Sequence, residues 1–250
     1  MKNTPVLVAE NVVKELGHGA GLVVALKGVS LELVPGELTL LMGPSGSGKT
    51  TLLSILGCIM QPTSGTLTIA DRKIVGLSAE ELATVRREHI GFIFQSYNLF
   101  PTLNAIENVR IALDVRGIKG FAATSRAEEV LRDVGLGHRL TNYPGNLSGG
   151  EQQRVAVARA IASSPSIVLA DEPTAALDSE NGHAVMALLS RIAKEQQRSV
   201  LAVTHDPRTL GYADRVVRIE DGKIVGEERR PEGINDPAIA DLTKRRKLHA

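Results

Sequence analysis

A chain of 250 residues is long enough to bury a substantial core, as one large domain or two small ones. Its charges nearly cancel, at a formal net charge of +1, so nothing points to a nucleic-acid partner, and no stretch approaches the roughly 20 consecutive apolar residues of a membrane-spanning helix. The single cysteine, Cys58, excludes an internal disulfide framework and fits a reducing, intracellular compartment; the opening residues lead into a strand-like run without the apolar stretch and cleavage site of a secretory leader.

Residues 6–13 alternate loosely between apolar and polar, and residues 29–34 alternate well. They predict two strands of an antiparallel piece, joined through the glycine-rich loop at 17–21. Leu38-Thr39-Leu40-Leu41-Met42 predicts a buried strand. Directly after it, Gly43-Pro44-Ser45-Gly46-Ser47-Gly48-Lys49-Thr50 fits the pattern G-x-x-x-x-G-K-[ST] without a mismatch, and Thr51 opens a helical stretch to residue 56. Strand, loop and helix are the setting of a phosphate cradle. The glycines let successive N–H groups approach a phosphate without a Cβ in the way, Lys49 adds a mobile positive charge, Thr50 offers a hydroxyl to magnesium, and the helix dipole points at the same phosphates. Cys58 reads as a small apolar side chain behind this loop, with a reactive thiol as the alternative.

An alternating strand at 65–70 follows the Pro62-Thr63-Ser64-Gly65 turn. Ser78-Ala79-Glu80-Glu81 has capping-box spacing for a helix running to residue 87, and a short apolar strand at 90–94 stops at Gln95. Helical patterns at 104–115, 125–134 and 150–162 then predict an all-helical insertion. The α/β pattern resumes with a continuous apolar strand at 167–170, of the kind buried on both faces of a parallel sheet. A helix at 179–197 with Asp178 as its cap, a strand at 200–204, and strands at 216–219 and 223–225 joined by the Asp221-Gly222 turn complete the order. The expected fold class is therefore α/β: a mainly parallel P-loop NTPase core (residues 1–95 and 164–230) with an N-terminal antiparallel β piece and an inserted all-helical subdomain (residues 96–163). Residues 1–230 would form one domain and 231–250 a polar tail. The tail's Lys244-Arg245-Arg246-Lys247 run reads as solvated, with contact to anionic lipid as the alternative.

Phosphoryl transfer requires a metal holder beside the cradle, and Asp171 at the end of the 167–170 strand supplies one, with Thr50 ligating the same ion; oxygen ligands suit magnesium. Glu172 is next to it. Two carboxylates at the end of an apolar strand repel each other and lose hydration, so a cation or a task must hold them there. Glu172 reads as the group that orients and polarises the attacking water, against the alternative of a solvated acidic turn before Pro173. Leu147-Ser148-Gly149-Gly150-Glu151-Gln152, followed by Gln153-Arg154, places a serine and two glycines at a second helix start, a second anion site. One ATP has no use for two helix N-termini from one compact domain, whereas a second subunit would.

With these motifs the chain resembles, over residues 6–228, the nucleotide-binding subunit of an ATP-binding cassette (ABC) transporter. The resemblance implies an ATPase using ATP and Mg2+, whose homodimer sandwiches two ATPs head to tail between one copy's Gly43–Thr50 loop and the other's Ser148, Gly149 and Gly150. It implies that Gln95 senses magnesium and the attacking water, that His205 contacts the γ-phosphate and keeps Glu172 oriented, and that Ala176-Leu177-Asp178 crosses the dimer interface. Where the family stacks adenine on an aromatic residue this chain has Leu16, and no aromatic side chain lies between Met1 and Gly91. Residues 96–103 and 171–178 are similar to the branch serving lipoprotein release, macrolide efflux and glycolipid export. That branch implies a cytoplasmic protein on the inner face of the plasma (inner) membrane, an integral membrane permease as partner, and a periplasmic adaptor reached through it. Leu99, Phe100 and Leu103 beside Gln95 read as a dock for the permease or as ordinary packing. The alternatives are the ATPase of an ABC importer and a non-transport ABC ATPase.

Overall fold

The computed structural model describes residues 4–230; the tail at 231–250, with its basic run, lies outside the described residues. In chain order the elements are β1 (Leu7–Leu16), β2 (Val23–Leu33), β3 (Leu38–Met42), α1 (Lys49–Leu56), β4 (Ser64–Ile69), β5 (Arg72–Lys73), α2 (Ala79–His89), β6 (Ile90–Ile93), α3 (Ala105–Val115), α4 (Gly120–Asp133), α5 (Gly149–Ile161), β7 (Ile167–Asp171), α6 (Ser179–Glu195), β8 (Ser199–Val203), β9 (Arg215–Glu220) and β10 (Lys223–Arg229).

They build two sheets. The larger runs β10-β9-β3-β8-β7-β6, parallel except for the β9–β10 hairpin, and the smaller is an antiparallel sheet ordered β2-β1-β4-β5. The continuous apolar runs of the central strands have a direct cause in the packing. Leu38, Leu40, Val168, Ala170, Val200 and Ala202 face one core, shared with α3 to α6; Leu41, Ile167, Leu169, Leu201 and Val203 face the other, shared with α1, α2 and the antiparallel sheet. Side chains of a strand alternate between faces, so a strand covered on both sides must be apolar throughout.

Several elements differ from expectation. β2 begins six residues earlier than the 29–34 alternation predicts, because Gly28, at φ +86°, reads as a break yet is absorbed within the strand. β5 carries no apolar signal; it forms because Ala70 and Asp71 both adopt left-handed φ (46° and 62°), closing a two-residue turn without glycine. α4 starts at Gly120 rather than 125: its first turn is exposed, so the apolar period starts late, with buried Ala123, Ala127, Val130 and Leu131. β10 extends to Arg229, held by pairing with β9 and by Arg215–Glu227 and Arg229–Glu37 contacts rather than by burial. The capping boxes of α2, α3 and α5 are each complete, and Asp178 caps α6. Cys58 is buried behind the loop, where desolvation pushes its thiol up to about 11, the behaviour of a packing residue.

Candidate functional site

Parallel strands end together, and loops leaving their carboxyl ends face one side of the sheet. Pairing of Leu41 with Val203, and of Val203 with Asp171, brings the Gly43–Thr50 loop, Asp171-Glu172 and Thr204-His205 to that edge; Ile93, partner of Ala170, brings Gln95 to it as well. Gln95 is exposed there.

The loop is built by close approach. A Cβ on Gly43 would stand 2.0 Å from the carbonyl oxygen of Ile219, and one on Gly48 would stand 2.7 Å from that of Ala25, with φ at +99° besides. Only glycine lets the loop lie against β9 and β2 in this way. The Gly222 N–H donates to the Ser47 carbonyl at 3.0 Å, and the Gly222 carbonyl accepts from the Lys27 N–H at 2.8 Å, so both sheets brace the cradle. α1 starts at Lys49, whose ammonium curls back over the loop and donates to the carbonyls of Gly43 (2.9 Å) and Pro44 (2.7 Å). Pro44, Ser45, Gly46 and Thr50 are exposed, Thr51 is half-buried, and Ser47 is buried with its hydroxyl lacking a protein partner.

The acidic pair stands beside it. Burial first, and then the neighbouring Glu172 charge, push the Asp171 carboxyl above the usual carboxylate range, against the pull of Lys49. Glu172 has φ +46°, and its N–H continues the ladder by donating to Val203. One of its carboxylate oxygens lies 2.9 Å from His205 Nδ1, and the other is buried with no protein partner. The His205 side chain is 70% exposed and that of Glu172 only 16%, so the histidine reaches from solvent to a carboxylate set inside the edge. The Ser47 hydroxyl and the second Glu172 oxygen are thus two unpaired buried polar atoms at this edge, each able to bond a ligand or a water there. Thr50, Gln95 and Asp171 offer a hydroxyl, an amide oxygen and a carboxylate, a set that could hold a hard divalent cation.

Ser148, Gly149 and Gly150 stand elsewhere. No hydrogen bond among the described residues joins them to the loop; their neighbours are Tyr97, Leu177 and Asn181, and a Cβ on Gly150 would lie 2.1 Å from Asn181 Oδ1. The capping box occupies the Glu151 N–H, bonded to Ser148 Oγ at 3.2 Å, and leaves the N–H groups of Gly149 and Gly150 without an intrahelical acceptor. Ser148 Oγ is an acceptor in that bond, so its own proton is available to an anion. Both carboxylate oxygens of Asp178 are engaged by Asn181, at 2.9 and 2.8 Å. Leu16 is exposed at the end of β1, and its cross-strand partner Val23 is exposed with it.

Three residues around the site escape sequence reasoning. Asn108 is fully buried and ties the Phe100 N–H and the carbonyls of Phe100, Leu103 and Asn104 into one knot. Arg159 and Tyr97 join the Gln95 loop to α5. A polar residue inside an apolar helical run is the signal for Asn108 and Arg159; Tyr97 has none.

Loop and fold together define a P-loop nucleotide-binding protein. Comparison with known proteins narrows the class: the ABC transporter family profile matches residues 26–175. The macrolide export ATP-binding/permease protein MacB of Shigella flexneri is 43% identical over 241 residues, covering 96% of this chain and 37% of that protein. A MacB of Paracoccus denitrificans is 44% identical over 233 residues, covering 93% and 35%. The dimeric post-hydrolysis structure of the ATP-binding cassette MJ0796 with ADP and Pi is 41% identical, with a TM-score of 0.82 over 90% of this chain and 99% of that one. The chain belongs to the ABC transporter family, as its ATP-binding, ATP-hydrolysing cassette. It spans little more than a third of the length of the curated relatives it matches.

Proposed function

We propose that the chain drives export or release of a substrate by a membrane permease, through ATP-dependent closure of a homodimer and hydrolysis at the interface. The separation within one chain carries this reading: the phosphate loop and acidic pair form one half-site, and the helix start at Ser148–Gly150, with free N–H groups and a free hydroxyl proton, forms another. Two copies arranged head to tail join the halves twice. The MJ0796 cassette is a dimer with ADP and Pi, which supports the arrangement.

In this reading Gly43 to Thr51 cradle the phosphates, Lys49 leaves the Gly43 and Pro44 carbonyls to meet them, and Leu16 covers the adenine by apolar contact. Thr50, Asp171 and Gln95 hold Mg2+, which when bound offsets the charge building on the transferred phosphoryl group. Glu172 orients the attacking water with its partnerless oxygen while His205 steadies the other. Asp178, at the start of α6, faces the second copy beside Ser148, Gly149 and Gly150. The catalysis is positioning and charge stabilisation, without a covalent protein intermediate.

The cassette comprises residues 1–230, a nucleotide-binding core (1–95 and 164–230) with the helical subdomain at 96–163, followed by a tail. α3, α4 and α5 pack on one another, which supports that division, and their buried faces run on into the core on that side of the large sheet. The protein works at the inner face of the membrane, bound to a permease and through it to an extracytoplasmic adaptor; half-exposed Phe100, on the loop knotted by Asn108, fits the docking role, while Leu99 packs into the core. No helix among the described residues is long and apolar enough to cross a membrane, so transport needs a spanning partner or segment. Resemblance of nearly the whole chain to MacB cassettes favours export over the import alternative.

The test is affinity purification of the tagged chain from detergent-solubilised membranes. An integral membrane protein recovered at stoichiometric ratio, raising Mg2+-dependent ATPase activity, is the expected result; a chain that stays out of membranes and hydrolyses ATP alone at an unaltered rate refutes the transport role.

A further inference from the structure

Gln95 sits on a turn whose closure is specified by residues outside the phosphate loop. The Tyr97 N–H donates to the Phe94 carbonyl at 3.2 Å, closing a four-residue turn with Gln95 as its second residue. Tyr97 and the following Asn98 both have left-handed φ, 61° and 48°, which non-glycine side chains disfavour and which persists only where surroundings impose it. The surroundings are Arg159, on α5. Its guanidinium donates through one nitrogen to the Tyr97 carbonyl, at 2.7 Å, and through the other to the Asn98 carbonyl. A planar fork matches two carbonyls brought to one side by consecutive left-handed residues; a single point charge does not.

The helix that carries Arg159 is the one that begins at Gly149. From its backbone anchor at Arg159, the Tyr97 side chain reaches toward that beginning: a Cβ on Gly149 would lie 3.0 Å from the Tyr97 hydroxyl, and the hydroxyl lies 3.5 Å from the Ala176 carbonyl. Arg159 is partly buried, and that burial holds its guanidinium below the ordinary arginine range.

We propose that Arg159 is a positioning residue that locks the turn bearing Gln95 to the Ser148–Gly150 helix, with Tyr97 as the strut reaching the Ala176–Asp178 loop. Gln95, the anion-binding helix start and the loop that meets the second copy then move as one body, so closure on ATP places Gln95 at the cation and water in the same step. The inference rests on the function proposed above. It assigns a coupling role to two residues that need not touch nucleotide.

The experiment compares the parent chain with Arg159→Met and Arg159→Lys. It measures kcat and KM for Mg-ATP, the affinity of the lone chain for a fluorescent ATP analogue, and ATP-dependent dimer formation in the Glu172→Gln background by size-exclusion chromatography. Arg159→Met is expected to lower kcat by about tenfold or more and to weaken the trapped dimer, with analogue affinity unchanged within about twofold, because the nucleotide cradle belongs to α1 and β3. Arg159→Lys keeps the charge but places its donors on one nitrogen instead of a planar fork, so it folds and recovers part of the loss. An unchanged kcat in Arg159→Met overturns the proposal. So does parallel loss of folding and analogue binding with a fully active Arg159→Lys, which makes the arginine a structural prop. A parent chain without ATPase activity overturns the underlying function and the inference with it, whereas an active parent beside an equally active Arg159→Met overturns the inference alone.

Discussion

Replacing Glu172 by glutamine separates chemistry from architecture because the two should respond with opposite sign. Glu172 is nearly isosteric with glutamine, and its environment is defined: one oxygen on His205 Nδ1 at 2.9 Å, the other buried without a partner, and Asp171 alongside with its carboxyl pushed up by burial and by the Glu172 charge. A group that orients and polarises the attacking water contributes about 10²–10⁴ in rate, or about 3–5 kcal/mol of barrier. Stability moves the other way. The contact with a 70% exposed histidine is worth about 0–1 kcal/mol, whereas removing a carboxylate with an unpaired buried oxygen from beside a like charge relieves about 1–3 kcal/mol, part of it retained by the neutral amide that replaces it. A net gain of about 1 kcal/mol raises the Tm of the nucleotide-free chain by about 2–4 °C at this size. Phosphate release and a thermal melt of the same preparation give both numbers, and size-exclusion with ATP should show a persistent dimer. Hydrolysis within about threefold of the parent rate would refute the assignment. A Tm that falls together with activity would show that Glu172 is a structural element.

Gly43→Ala forces a Cβ into the Ile219 carbonyl at 2.0 Å, backbone against backbone, and should destabilise by about 1–3 kcal/mol while abolishing nucleotide binding; normal analogue affinity by fluorescence refutes the close-approach argument. Glu151→Ala removes half of the α5 capping box and should lose about 1 kcal/mol in a thermal melt near neutral pH. The backbone N–H of Ser148, followed by Arg139, holds the Glu151 carboxyl below its ordinary range, so this contribution is present above the unfolded-state pKa and disappears as pH falls through the folded-state value. Parent and variant melts should therefore converge in acid; a difference independent of pH would contradict the assignment. Because Leu16 offers no π-surface, GTP should compete measurably with ATP, and Leu16→Tyr should sharpen the preference; a native ATP preference of several hundredfold would refute it.

Much of this molecule was legible in its residues. The Gly43–Thr50 spacing, the apolar strand ending in Asp171, the serine and glycines at 148–150, the capping box at Ser78 and the cap at Asp178 are local signals: each depends on bonds within a few residues, so each can be read along the chain. Elements whose cause lies elsewhere in space were harder to read. β5 owes its turn to Ala70 and Asp71, of which only the aspartate favours turns and neither is glycine, and the last residues of β10 are held by ion pairs to Glu37 and Arg215. Neither leaves an apolar period to detect.

The glycine-rich loop at Gly43–Thr50, the acidic strand end beside it and the capped helix start at Ser148 were determined by sequence alone, because glycine geometry, strand burial and helix capping are short-range. Tertiary structure decided how these parts are related. It set Glu172 against His205, left one carboxylate oxygen free, and placed Ser148–Gly150 beside Tyr97 and Asn181 rather than beside the cradle. It also gave Arg159 two carbonyls of a strained turn as partners, although 62 positions separate that arginine from Tyr97 and 61 from Asn98. Contacts of this kind depend on where a helix packs against a sheet edge, and no local pattern of residues encodes that.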